Sequence, residues 1–213
     1  MLQTTELLRE SGLGDHTIRE VDLAVLFGGS PARRYALVNK ALKKGELVQI
    51  RRGLYVLSPK YQAHSFSQYY LANHAAPYSF VTAESALSFY GWIPEQVTQV
   101  TSMTPAGRAR RFKTPYSEFI YRPSPIEKKV FFIGVERIKI NDQYVYMATP
   151  LRALADYVFW HKVKNANLDF LVQSLRIEPE YLAEIHKKEV ESLKSVYLKK
   201  NVQVFLKNLT KEL

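Results

Sequence analysis

Residues 30–57 read SPARRYALVNKALKKGELVQIRRGLYVL, and the order of signals in this stretch decides the fold of the first part of the chain. Ser30 can accept a hydrogen bond from a free amide at a helix start, while Pro31 at the first helical position has no amide to leave unpaired. A helix is therefore expected over 31–44. Tyr35, Val38 and Leu42 recur at spacings of three and four, which predicts one apolar face, and Gly45 provides the stop. At about 100° per residue, Arg33, Ala36, Lys40 and Lys43 fall opposite that face, with Arg34 at its edge. Beyond Gly45 the period becomes that of strands: 47–50, a turn at Arg51-Arg52-Gly53, then 54–57.

Upstream, 2–11 predicts a helix ending near Gly12 and Gly14. Asp22 is expected to cap a second helix that carries Leu23, Leu26 and Phe27 and stops at Gly28-Gly29. Three helices and a hairpin within 60 residues predict a winged helix-turn-helix over 1–60, and 58–64, with Pro59, predicts a linker. Residues 61–213 then form a second unit. Helices are expected over 65–76 and 82–90, the latter capped by Thr82 and stopped by Gly91. Short strands are expected at 97–101, 118–121, 130–133, 136–140 and 144–147, with Asn141-Asp142 turning between the last two. Helices follow over 150–162 and 167–176, and a long last segment places Leu193, Tyr197, Val202, Phe205 and Leu209 on one side. The expected class is α+β: an N-terminal winged helix followed by a mixed α+β domain closed by C-terminal helices.

A chain of 213 residues, 46% hydrophobic and 23% charged, has enough apolar residues for one large domain or two small ones. It has no cysteine, which excludes a disulfide framework, a zinc-thiolate centre and a cysteine nucleophile. No run reads as a membrane span or a secretory leader, so a cytoplasmic protein without a membrane partner is expected. Lys and Arg outnumber Asp and Glu by 30 to 20, a net charge of +10 that attracts polyanions. Positions 33–60 hold Arg33, Arg34, Lys40, Lys43, Lys44, Arg51, Arg52 and Lys60 against Glu46 alone, a local excess of seven.

A basic helix beside a hairpin with arginines at its tip points to double-stranded DNA. Arg33, near the helix start, is placed for base edges, with Ser30 as the cap and Arg34 beside it. Lys40, Lys43 and Lys44 suit phosphates. Arg51 and Arg52 suit the neighbouring minor groove or backbone, and Gly53 allows a tight turn. A solvated basic helix beside a charged turn is the plainer account. A second acid-free cluster, Arg108, Arg110, Arg111 and Lys113, follows Pro105 and Gly107 in an expected connection. It is a candidate second nucleic-acid or partner patch, or simply a solvated loop.

Residues 44–57 resemble the wing of AbiEi-type antitoxins, whose pattern is roughly GxLxxIRRGLY. Residues 82–87 (TAESAL), the strand over 97–103 and residues 148–156 (ATPLRALAD) are similar to that family's second domain, so the resemblance covers about 20–160. It implies a transcriptional autoregulator and antitoxin of a bacterial type IV toxin-antitoxin, or abortive infection, system. Such proteins bind inverted repeats at their own promoter and counter a nucleotidyltransferase toxin encoded beside them, generally without a stable complex. No catalytic residue, cofactor or metal is implied.

Other readings compete. Residues 26–33 (LFGGSPAR) resemble the triphosphate loop of minimal nucleotidyltransferases. That chemistry needs downstream carboxylates for magnesium, and Glu46 is the only acid between 31 and 60. A helix stop and cap is the better account. Glu118, Glu127 and Lys129 echo a nuclease pattern without completing it. The five histidines show no ligand spacing, and Arg152 and Asp156 are spaced for an ordinary intrahelical pair. Phe66, Tyr69, Tyr70, Tyr78, Phe80, Phe89, Tyr90 and Trp92 are expected to pack helices together. The alternatives are a plain winged-helix repressor whose second domain binds a ligand or dimerises, which a large apolar pocket would favour, and a nucleic-acid-acting enzyme with a winged-helix arm, which a carboxylate cluster would favour.

Overall fold

The computed structural model describes residues 3–212; Met1, Leu2 and Leu213 lie outside them. The protein is a mixed α+β chain with two sheets. Helix α1 (Gln3–Glu10) leads to a two-residue strand β1 (Ile18–Arg19), which passes directly into α2 (Glu20–Phe27). Asp22 is therefore not the cap. The chain enters α2 from β1, so Arg19 occupies the extended cap position, and Asp22 accepts from the Arg19 amide at 2.8 Å and its guanidinium at 3.0 Å.

Ser30 and Pro31 act as the sequence predicts: α3 (Pro31–Lys43) starts with Ser30 Oγ accepting from the Arg33 amide at 3.3 Å. Its inner face is Val38 and Ala41, with Leu42 half-buried, but Tyr35 is 72% exposed. The first turn of α3 has no buried residue, so an aromatic on the apolar side there has nothing to pack on.

Strands β2 (Leu47–Arg51) and β3 (Leu54–Leu57) pair antiparallel around Arg52-Gly53, and β1 adds to the other edge of β3. Gly53 has φ +74°, the left-handed region where a side chain is disfavoured. Side chains alternate across β3. Leu57 joins Leu8, Ile18, Leu23, Val38, Ala41 and Leu47 in a small core, with Tyr55 packed against it. Leu54, Val56 and Ile50 belong to the large core of the rest of the chain. With both faces covered, LYVL reads as an unbroken apolar run. Residues 58–64 are no free linker. They contain a 3-10 turn (Pro59–Tyr61), Gln62 Nε2 donates to the Tyr116 hydroxyl at 2.9 Å, and the Ala63 amide donates to Asp15 Oδ1 at 3.1 Å.

Beyond it, α4 (Gln68–Ala75) lies against a six-stranded sheet built from β4 (Phe80–Val81), β5 (Gln99–Thr104), β6 (Arg110–Lys113), β7 (Glu118–Pro123), β8 (Val135–Ile140) and β9 (Gln143–Ala148), in the order β6-β7-β5-β4-β9-β8. The pairs β5–β7 and β4–β9 are parallel. Asn141 and Asp142 turn between β8 and β9 with φ of +49° and +62°. Thr82 does not cap α5 (Glu84–Phe89): Ala83 holds that position, and the Thr82 hydroxyl donates to Asp156 Oδ2 at 2.7 Å.

The expected strand at 130–133 is a 3-10 turn (Lys128–Val130) and its continuation. Its carbonyls face a side chain instead of a neighbouring strand: those of Phe131 and Ile133 accept from Arg152 at 3.2 and 2.5 Å. Helix α6 (Pro150–Trp160) is capped by Thr149. The region 167–176 ends in a π turn (Phe170–Ser174) and is followed by a short helix, α7 (Pro179–Ala183). The last segment is two helices, α8 (Lys187–Val196) and α9 (Lys200–Glu212), and all five of its predicted inward residues are buried. Of the aromatic run, Phe66, Tyr70, Phe80 and Trp92 are buried, whereas Tyr78 is 77% exposed. No helix among the described residues is long and apolar enough to cross a membrane.

Candidate nucleic-acid interface

The 3.6-residue period of α3 leaves Arg33, Lys40 and Lys43 exposed on its outer side, Lys44 is exposed at its C-cap, and none of them forms an ion pair among the described residues. Ser30 is exposed at the start of the helix, and Arg34, half-buried, donates to the Gly29 carbonyl at 2.5 Å. Between α3 and the hairpin lies a groove of about 350 Å3, walled by Tyr35 and Asn39 on the helix side, Gln49 and Tyr55 on the strand side, and Arg34 and Arg52. Gly53 lines it at the turn, and Glu20 is its one acid among the described residues.

The two hairpin arginines are not equivalent. The register of β2 shifts between Gln49 and Arg51, and such a bulge re-aims the side chains that follow it. Arg51 Nε donates at 2.8 Å to the carbonyl of Ala75, the last residue of α4, and Nη1 donates to the Arg52 carbonyl at 3.1 Å. A cation suits a helix C-terminus, where carbonyls lack partners. The expectation that both arginines project from the tip is corrected: Arg52 lines the groove, and Arg51 is anchored to the rest of the molecule.

The second cluster is not a connection. Arg110, Arg111 and Lys113 lie on β6, the edge strand, and Arg108 stays in the loop before it. One apolar residue, Phe112, gave too little alternation to mark a strand; it packs on Phe119 and Tyr121. Arg111 pairs with Glu118 at 3.4 Å and Arg110 lies 5.3 Å from the Tyr121 ring. A shallow groove of about 530 Å3 joins these to Arg122, which lies 5.2 Å from the Trp160 ring. Neither Arg122, on β7, nor Trp160, at the end of α6, was legible from the sequence as part of this cluster, because only the packing of the sheet edge brings them beside it.

Arg152 and Asp156 form the spaced pair that the sequence suggested, but fully buried. Tyr197, at the break between α8 and α9, donates its hydroxyl to Asp156, and Thr82 donates as well. Burial pushes the Asp156 carboxyl above the usual carboxylate value, although Arg152, Tyr197 and Thr82 all favour the ionised form. The same burial, with the Asp156 charge alongside, holds the Tyr197 hydroxyl protonated. Among the described residues no group of three or more His, Cys, Asp or Glu is placed to hold a metal ion. No protein-family model matches the chain, and none of the curated proteins matches it.

Proposed function

We propose that the chain is a transcriptional regulator that binds double-stranded DNA through residues 1–60 acting as a winged helix. One observation carries this reading: the outer face of α3 bears Arg33, Lys40 and Lys43, and its C-cap is Lys44, all exposed and without an ion pair among the described residues, while Arg52 stands across a groove on the hairpin turn. The major groove admits a helix, a bidentate arginine reads guanine, and lysines neutralise phosphates. On this reading Arg33 specifies, the lysines hold, and Arg52 reaches the adjoining backbone.

The biological role rests on the resemblance of residues 44–57, 82–87 and 148–156 to AbiEi-type antitoxins. The DNA is then the inverted repeats of the chain's own promoter, in the cytoplasm. The second unit counters a nucleotidyltransferase toxin without a stable complex, and the chain itself catalyses nothing. A second reading, a repressor that responds to a ligand, is favoured by a mostly apolar cavity of about 550 Å3 where the hairpin meets the second unit.

The test is fluorescence anisotropy with a labelled duplex from the region upstream of the reading frame. Neutralising about four to six phosphates gives a slope of log K against log salt of roughly −4 to −5. Arg33→Ala should relax sequence preference, by ~1–3 kcal/mol of lost discrimination. Lys43→Ala should weaken all sequences alike, and Arg52→Ala should weaken binding more than Arg51→Ala. A flat salt titration overturns the DNA reading. Failure to rescue cells from the neighbouring gene's product, with DNA binding intact, overturns the antitoxin role alone.

A further inference from the structure

The cavity at the junction is built by two separate parts of the chain: Arg19, Arg51 and Leu54 come from the small sheet, and Asn73, His74 and the segment from Pro77 to Ser79 come from the second unit. At about 550 Å3 it is in the range of small-molecule sites. We infer that it is a binding site for a small planar aromatic anion.

Four aromatic rings make its wall, those of Tyr78, Phe132, Tyr144 and Tyr146, and each is 42% exposed or more. Arg137 lies 3.6 Å over one face of the Tyr144 ring and Phe132 packs on Tyr146 with centroids 5.9 Å apart, so the rings offer their remaining faces and edges to the concavity, and a ligand ring can stack there. Tyr78 stands out further. Its φ is +62°, a left-handed conformation that a bulky side chain disfavours, and at 77% exposure no packing within the chain accounts for it.

The polar groups point to an anion with acceptor atoms. Among the described residues the lining holds no Asp or Glu; Arg19 is paired with Asp22 at 3.0 Å, so the cation left to the cavity is Arg51. Arg51 uses Nε and Nη1 on backbone carbonyls, which fixes the guanidinium and leaves Nη2 without a bond among the described residues. Asn73 is buried and accepts from the Tyr146 amide through Oδ1 at 2.7 Å, so its amide group is a donor, and that Nδ2 has no partner. The buried Ser79 hydroxyl also has none. A buried donor without an acceptor is costly unless something else completes it.

An aromatic carboxylate and a nucleoside monophosphate share the required chemistry, a planar ring with an anionic group. Isothermal titration calorimetry on the full chain, without DNA, separates them and stands or falls apart from the DNA reading. The probes are 4-hydroxybenzoate, indole-3-carboxylate and the ribonucleoside monophosphates, with cyclohexanecarboxylate as the saturated control. At least one aromatic anion should bind with a Kd of about 1–100 μM, and the saturated acid at least roughly tenfold more weakly. Tyr78→Gly removes a ring and relieves its φ, so it should bind roughly tenfold more weakly or worse while melting no lower than the parent. Tyr144→Ala, at an exposed position, should act in the same direction. The carboxylates or the nucleotides, whichever bind, identify the source. The inference is overturned if no aromatic anion in the panel binds by about 1 mM, or if binding is unchanged in both variants.

Discussion

The Arg152 guanidinium and the Asp156 carboxylate, one turn apart on α6, meet at 3.2 Å with neither exposed to solvent. The arginine also donates to two carbonyls of the 128–133 region and lies 4.9 Å from the Phe80 ring and 5.3 Å from that of Tyr197. The pair thus ties α6 to the segment before β8, to the turn before α5 and to the α8–α9 break.

Removing one partner of such a pair leaves a buried charge uncompensated. Asp156→Ala should therefore cost about 3–5 kcal/mol in urea denaturation. Replacing both, as Arg152→Met with Asp156→Leu, should cost less than the single change, because two desolvated ions are replaced by apolar groups. A double variant less stable than Asp156→Ala would show that the carbonyl bonds of Arg152, and not the charge pair, hold the region.

Gly134 sits against the same arginine. Its φ is +72°, and a Cβ there would lie 2.9 Å from Arg152 Cβ and 3.2 Å from Leu193 Cδ2. Gly12 has φ +74° with nothing within 4 Å of its would-be Cβ. Gly12→Ala should cost only the backbone strain, about 1–2 kcal/mol. Gly134→Ala adds overpacking of ~1–3 kcal/mol to that. Equal urea midpoints for the two variants would contradict the close approach at Gly134.

Local signals were legible where a single residue type does a backbone job: Ser30-Pro31 started α3, Asn141-Asp142 turned a hairpin, and glycines stopped helices. What escaped depended on distant partners. The strand β1 has two residues and exists because β3 offers an edge, so no periodicity could announce it. The apolar stretch 130–133 looked like a strand until Arg152 claimed its carbonyls. At the interface, the exposed face of α3 followed from angular spacing, whereas Arg51 and Arg52, identical in sequence terms, were separated by a bulge and by the end of α4.

His74 carries a pH signature. Its Nδ1 lies 2.9 Å from the Tyr70 carbonyl oxygen and its ring 4.0 Å from the Tyr70 ring. Burial lowers its pKa against the pull of the Tyr70 carbonyl, and His16 and Arg19 lower it further. A depressed folded-state value means that the unfolded chain binds the proton better. The stability this contributes is complete above the unfolded value of about 6.5 and is lost as pH falls through the folded value. His74→Gln should therefore lose less stability than the parent between about pH 7.5 and 5. Parallel stability curves for the two chains would remove His74 from the account.

Because Ile50, Leu54 and Val56 pack into the large core, the two parts of the chain are not independent in stability. Burying each such side chain contributes roughly 1.5–3 kcal/mol, so deleting residues 1–60 removes several kcal/mol from a total that is typically about 5–15. The Arg51 bond to Ala75 goes with them. Residues 61–213 alone should therefore unfold at a clearly lower urea concentration than the full chain and bind an apolar dye through the uncovered side of α4. A fragment that begins at Glu46 and keeps the hairpin should recover part of the loss, but not all, since Leu47 and Leu57 then lose their own cover. The antitoxin reading assigns neutralisation to the second unit, so protection by 61–213 is to be judged at a temperature where the fragment is shown to be folded. If that fragment is as stable as the full chain, the shared core is wrong and the two units are independent.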